Sequence, residues 1–498
     1  MDLLILGIKN ICTVEVIPLI IFGVFMGVIF GALPGVSATM AIILSVGFTY
    51  SMSPVVAIAF LSAVYCSAIT GGGITAILFK IPGTPSSAAT MLDGYPMTQR
   101  NQAGKALSIS LFSSSAGGLF SAILMFLVAQ PLMKLALKFN SFELFGVCFL
   151  GLSILVFLDQ KNVLNTFASA TIGVWLGTVG LDPILSAPRF NFGNPILLNG
   201  IEALPFMLGM FAAVEVFGQI QNPTDKSSFS KREKADISKL VSLKEFLHLK
   251  WTIMRSAVLG SLVGIMPGAG ATIASWLSYA VEQKVSKHPE QMGDGDPHGI
   301  AASETANNAA TGGAMVPLLS MGVPGSNAAA MMMTALAIHG VQMGPLLLEA
   351  QPEFLSATFV SMIAANILMV FVSLIIAKIF AKILTVPYWI LGSFIMALTI
   401  AGCYARINAI SDLWIMAVGG IFGYFFKKYK FNSSAMTLGL VLAPMIERHF
   451  RRALQIANGD LGMIFRRPIA VAILLIVVAV FVFGIIDIRR NAKKERQN

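Results

Sequence analysis

Two short strings of proline, glycine and hydroxylated residues carry the chemistry open to this chain, and each occurs twice. Gly31-Ala-Leu-Pro34-Gly35-Val-Ser37-Ala38-Thr39 closes one apolar run, and Gly264-Ile-Met-Pro267-Gly268-Ala-Gly270-Ala271-Thr272 closes another. Downstream, Thr70-Gly71-Gly72-Gly73 leads into Pro82-Gly83-Thr84-Pro-Ser86-Ser87, and Thr311-Gly312-Gly313-Ala314 leads into Pro324-Gly325-Ser326-Asn327. Within an apolar span, Pro-Gly removes an amide donor, frees carbonyls and lets a helix unwind. Lipid tolerates such breaks only where protein or a water-filled cavity satisfies the freed groups.

The new helix ends supply two kinds of ligand. Half-helix N-termini present bare amides and a positive dipole end, which suit an anion. The anion-binding candidates are therefore Pro34, Gly35, Ser37, Lys80, Gly83, Thr84, Ser86, Ser87, Gly268, Gly270, Gly325, Ser326 and Asn327. Freed carbonyls and the hydroxyls of Thr39, Thr70, Thr272 and Thr311 are hard oxygen ligands that suit sodium. Glu304, Asn307 and Asn308 are spaced i, i+3, i+4, so they share one helix face as cation ligands or as hydrogen-bonding glue between helices. The Lys80 ammonium can pair with a carboxylate or snorkel to the interface.

The elements that position these groups are membrane helices. The chain has 498 residues, 56% hydrophobic and 12% charged, about half the charged share of soluble domains. No charged side chain occurs between Glu15 and Lys80, and further uncharged runs cover 106–133, 162–181, 256–281, 354–377, 383–405 and 468–486. At about 20 residues per pass, these predict on the order of ten to twelve hydrophobic passes. The fold class is all-α and polytopic. A β-barrel is disfavoured because the runs do not alternate with period two.

The repeats divide the chain into 1–220 with a first re-entrant hairpin near 70–90, a basic loop 221–250, 251–467 with a second hairpin near 311–330, and a final helix with basic tail, 468–498. Paired broken helices in two halves are the sequence pointer to a transporter's midplane site. Net charge is +10, but the cations sit in short loops rather than on one face that nucleic acid would need. Lys226, Lys231, Arg232, Lys234, Lys239, Lys244 and Lys250 place the central loop in the cytoplasm by the positive-inside rule. Lys427–Lys430, the cluster Arg448, Arg451 and Arg452, and the tail Arg489, Arg490, Lys493 and Lys494 carry the same signal. Because 468–486 is basic on both flanks, these cannot all share one side if it is a single span.

The remaining motifs point away from enzymes. Cys12, Cys66, Cys148 and Cys403 stand singly in apolar surroundings and read as small hydrophobes rather than disulfides or metal ligands. The five histidines form no HExxH pair, and no serine sits in a GxSxG elbow. Asp294, Asp296 and His298 share one polar loop, which provides too few fixed ligands for a metal. No cofactor is expected beyond sodium or a proton as coupling ion. The start, Met1-Asp2 and a short apolar stretch, lacks the basic leader of a secretory signal, so the first span is expected to direct insertion.

Over nearly its whole length the sequence resembles the large membrane subunit of the tripartite tricarboxylate transporters. The resemblance is carried by GGGITAILFKIPGTP and LDGYPM within Tyr65–Ala106, and by ETANNAATGGAMVPLLSMGVPG from Glu304 to Gly325. It implies an elevator-like carrier with inverted repeats in a bacterial inner membrane. It further implies import of di- or tricarboxylates such as citrate by symport with a cation; a homo-oligomer is compatible with the sequence, which does not fix the oligomeric state. The implied partners are a small four-span membrane subunit and a periplasmic substrate-binding protein. A passive anion channel or uncoupled permease is the alternative. The chain departs from the family pattern at Thr84, often acidic, at Asn101, usually glycine, at Cys66-Ser67, and at Lys80, commonly asparagine, so the substrate need not be citrate.

Overall fold

The computed structural model describes residues 2–33, 36–158, 162–221, 239–383, 388–458 and 460–495. Among them the only sheet is an antiparallel pair of two-residue strands, β1 (Gly180–Leu181) and β2 (Pro188–Arg189). The rest is helices and the turns and loops that join them. Four helices are long and apolar enough to cross a membrane alone, or five if α1 (Asp2–Ile11) and α2 (Val16–Ala32), bent by 82°, form one span. Seven further apolar helices have only 10–17 residues. The hydrophobic runs that predict ten to twelve passes are thus mostly cut short, and proline and glycine mark many of the cuts.

The cuts arrange the first half around α2, α3 (Ala38–Val46) and α4 (Pro54–Phe79). Successive glycines of α2 press on successive turns of α4, with Gly23 against Phe60, Gly27 against Val64 and Gly31 against Ala68, so the two helices run parallel. Since α4 begins level with the start of α2, α3 has to carry the chain back, making α2–α3 a helical hairpin. The second half repeats this with α12 (Lys250–Ile265), α13 (Gly270–Val285) and α14 (Pro297–Met321). There Gly260 meets Ala306 and Gly264 meets Ala310, while Ser278 Oγ donates to Ser256 Oγ at 2.7 Å and Arg255 pairs with Glu282 at 2.8 Å. Helices α4 and α14 lie against one another in opposite directions, Thr70 facing Asn308 and Gly73 facing Glu304.

Both long helices end in the same fold-back. Lys80 (φ 58) follows α4 and Gly322 (φ 73) follows α14, each in the left-handed region that terminates a helix. The chain then turns so that the Gly83 amide donates to Gly72 O at 3.2 Å, and Gly325 settles against Ala314. The half-helices expected after Thr70 and Thr311 are thus the last turns of continuous 26- and 25-residue helices. The backbone explains the family preference at two of the positions noted above, and the asparagine at 101, but not the lysine at 80. Lys80 and Asn101 both adopt a φ of 58, a conformation that asparagine and glycine take at low cost.

A polar latch joins the halves. Asp93, on α5 (Thr90–Gln99), accepts amide bonds from Gly293, Gly295 and Asp296 at 2.8, 2.9 and 2.8 Å and the Tyr279 hydroxyl at 2.8 Å. These four donors come from α13 and the loop ahead of α14. Asp93→Asn keeps the size but loses the charge that strengthens all four bonds. The expected cost is about 2–3 kcal/mol, read as a lower melting midpoint of the purified protein. An unchanged midpoint would show that the latch carries no load.

Ion pairs gather at two separate places. On α6 (Ala103–Ala136), Lys105 pairs at 2.6 Å with Glu245 of α11 (Leu243–His248), placing the starts of α6, α12 and α14 beside the basic loop. Lys226, Lys231, Arg232 and Lys234 lie outside the described residues. Helix α8 (Val163–Leu176) runs parallel to α20 (Ser433–Ile456), with Gly173 against Met436 and Gly177 against Ala443. Toward its C-terminal end α20 carries Arg448, Arg451 and Arg452. There Arg451 is taken up by Asp182 and Glu447, and Arg189 bonds Glu447 at 2.5 Å. The amides of Leu185 and Ile184, with Arg451 beside them, hold the Asp182 carboxyl down at about 2. This clasp is therefore complete above about pH 4 and is lost only as the pH falls through about 2.

Candidate functional site

All four Pro-Gly blocks open onto one cavity of about 750 Å³. Its wall includes Ser37 and Thr39 from the first block, Pro82 to Ser86 from the first fold-back, Gly268 to Thr272 from the α12–α13 corner, and Ser326 and Asn327 from the second fold-back. These residues are separated in sequence by up to almost three hundred positions. They meet because each sits at a corner where two helices turn toward the middle of the molecule.

Helix starts point at this space. Ser37 caps α3 by accepting the Met40 amide at 3.3 Å, and Ser326 caps α15 (Asn327–Ile338) by accepting that of Ala329 at 3.1 Å. Helix α13 begins at Gly270 with no side-chain cap, and α20 begins after Asn432, which accepts the Ala435 amide at 3.0 Å. Gly268 (φ 81) and Gly270 (φ 63) need the left-handed region, which explains glycine at both. Among the described residues no charged side chain lines the cavity. Its polar wall consists of hydroxyls, carboxamides and backbone ends, a donor set suited to carboxylate oxygens.

Not every candidate reaches the cavity. Ser87 is buried behind Thr84, donating to its carbonyl at 2.8 Å, and Gly325 packs behind the lining against Ala314. The Gly268 amide donates to Gly325 O at 3.0 Å, tying the α12–α13 corner to the second fold-back. Lys80 is exposed and not part of the wall, with Nζ over the Tyr95 ring 5.6 Å from its centroid. Pro34 and Gly35 lie outside the described residues.

The cation candidates split into two groups. Thr39 and Thr272 stay in the cavity wall, while Thr70, Glu304, Asn307, Asn308 and Thr311 form a separate, fully buried cluster between α4, α6 and α14. Glu304 accepts Thr90 Oγ1 at 2.6 Å and Ser114 Oγ at 2.8 Å. Thr70 Oγ1 donates to Asn308 Oδ1 at 3.3 Å, and Asn308 Nδ2 to Asn307 Oδ1 at 3.0 Å. Asn307 and Ser110 also face the Glu304 carboxylate, while Ser113 Oγ is buried without a close partner. The cluster is an oxygen-rich pocket around one carboxylate that pairs with no cationic side chain among the described residues.

Several wall residues carry no local motif. Tyr65 and Ile69 enter from α4, Leu155 from α7 (Ser141–Leu158), and Phe211 from a π-helical segment, Leu208–Ala213. Such π-turns recur at functional sites, but nothing in their sequence advertises them. Asn432 and Ser434 were findable, since a polar triplet before an apolar run is a helix-start signal. Ser434 accepts from Asn327 Nδ2 at 2.5 Å, joining α20 to the second fold-back.

The family model described as "Tripartite tricarboxylate transporter TctA family" matches residues 17–438. The chain belongs to this family. A TctA-family chain is a multi-pass membrane subunit of a transporter, and the matched span contains every block that lines the cavity. Two Agrobacterium vitis proteins are similar to this TctA-family member. One, named as an uncharacterized 52.8 kDa protein in the TAR-I ttuC' 3'region, is 34% identical over 471 residues, 95% of this chain and 93% of its own. The other, from the TAR-II ttuC' 3'region, is 36% identical over 215 residues, 43% of this chain and 89% of its own. No solved structure matches this TctA-family chain.

Proposed function

We propose that the chain is the membrane transport subunit of a cation-coupled importer for small organic anions, di- or tricarboxylates, across the bacterial inner membrane. The observation that carries this reading is the convergence of all four Pro-Gly blocks, with their helix N-termini, on one cavity free of charged side chains among the described residues. Amides and hydroxyls at Ser37, Gly83, Thr84, Ser86, Gly268, Gly270, Ser326 and Asn327 hold the carboxylates. Ser87 and Gly325 shape the two fold-backs from behind. Thr39 and Thr272, or the cluster of Thr70, Glu304, Asn307, Asn308 and Thr311, seat sodium or a proton.

The opposite directions of α4 and α14, with matching fold-backs, support two inverted repeats. The latch at Asp93 supports their moving as one body, as an elevator requires. A four-span membrane subunit and a periplasmic binding protein complete the assembly. The test is uptake into proteoliposomes containing all three components. Saturable carboxylate uptake that needs a sodium or proton gradient is expected. Uptake that neither saturates nor responds to a cation gradient would indicate a channel or uncoupled permease instead.

A further inference from the structure

Tyr65 belongs to no block discussed above, yet it stands in the cavity wall and bridges the halves of the molecule. Its phenol, 2% exposed, lies 3.1 Å from Ser326 Oγ, the cap of α15. Ser326 Oγ already accepts the Ala329 amide at 3.1 Å. The two hydroxyls own two protons, and the bond between them uses one. The second proton, with a remaining lone pair, is left for a solute in the cavity.

That combination differs from what the helix starts provide. Backbone amides at α3, α13 and α15 only donate, which serves carboxylate oxygens that only accept. A solute hydroxyl both donates and accepts, and the Tyr65–Ser326 pair offers it a donor and an acceptor at one point in the wall. We propose that Tyr65, through its pair with Ser326, is a specificity residue that reads a hydroxyl on the substrate, so that the chain prefers hydroxylated carboxylates. This rests on the transport reading for its assay but on the Tyr65–Ser326 pair for its content. A site built to bond a substrate hydroxyl rejects the analogue lacking it, because its own buried groups are then left unpaired.

Malate and succinate differ by one hydroxyl and serve as probes. For the wild-type assembly, kcat/KM for malate is expected to exceed that for succinate by at least about tenfold. Tyr65→Phe should reduce the ratio to about two, through a higher KM for malate with succinate little changed. The melting shift of purified wild type and Tyr65→Phe with each acid gives a second readout, independent of transport. An unchanged ratio in Tyr65→Phe, equal losses for both acids, or no wild-type preference would overturn the assignment. If the assembly imports neither acid but malate still stabilises the purified wild type more than Tyr65→Phe, the transport reading falls and the hydroxyl contact stands.

Discussion

Gly325→Val is expected to cut carboxylate uptake by about 100-fold or more, with Gly83→Val behaving alike. A Cβ at Gly325 would lie 2.7 Å from Ala314 Cα and would strike the carbonyl oxygen of Gly264. At Gly83 it would meet Gly72 Cα at 2.9 Å, Thr75 Oγ1 at 2.8 Å and the Gly31 carbonyl oxygen. Most of these obstacles are backbone, so no side chain can rotate out of the way and the fold-back itself has to lift. Overpacking of this kind costs about 1–3 kcal/mol, which a protein of this size survives. The function should not survive, because the lift strains the Gly268–Gly325 hydrogen bond and withdraws Ser326 and the start of α15 from the cavity. A displacement of about 1 Å at a positioned group is enough for a hundredfold loss. Uptake by Gly325→Val at the wild-type rate, at equal expression, would remove the cavity from the mechanism.

Glu304→Gln is expected to raise the melting midpoint while reducing uptake by about 100-fold and flattening its dependence on the coupling cation. A carboxylate buried without a cationic partner costs several kcal/mol to keep charged, and only neutral groups, led by the Thr90 and Ser114 hydroxyls, compensate it. Glutamine has the same shape and can still accept from Thr90 and donate to Ser114, so the fold gains when the charge goes. A protein that retains such a charge has traded stability for function. If Glu304 is only glue between α6 and α14, the variant should instead import normally with unchanged cation dependence, and the cation role would be finished. Sodium titration and pH titration of uptake, run on both proteins, separate the two ions.

The central geometry was legible because it is written locally. Pro-Gly at the end of an apolar run, followed by serine or threonine, dictates an interrupted backbone and a capped restart whatever surrounds it, and Ser37 and Ser326 do cap the helices that follow. Lengths of broken helices were less legible: the turns after Thr70 and Thr311 continue long helices, since runs of two or three glycines are tolerated where helices pack closely. How the cluster Arg448, Arg451 and Arg452 is accommodated was not legible, because charge counting ignores partners. Asp182 and Glu447 neutralise part of that cluster, and Asp182 is remote in sequence.

By itself the sequence determined that the chain is a bundle of membrane helices, that its backbone breaks at matching places in two halves, and that hydroxyls and bare amides gather at those breaks. These are properties of neighbouring residues, governed by hydrogen-bond loss and apolar length. Tertiary structure alone decided that the breaks share one cavity, that Tyr65, Phe211, Asn432 and Ser434 complete its wall, and that Glu304 sits apart in a pocket of its own. Those outcomes depend on the direction and register in which distant helices pack, which is set by the close fit of glycines against facing backbones and not by any short stretch of chain.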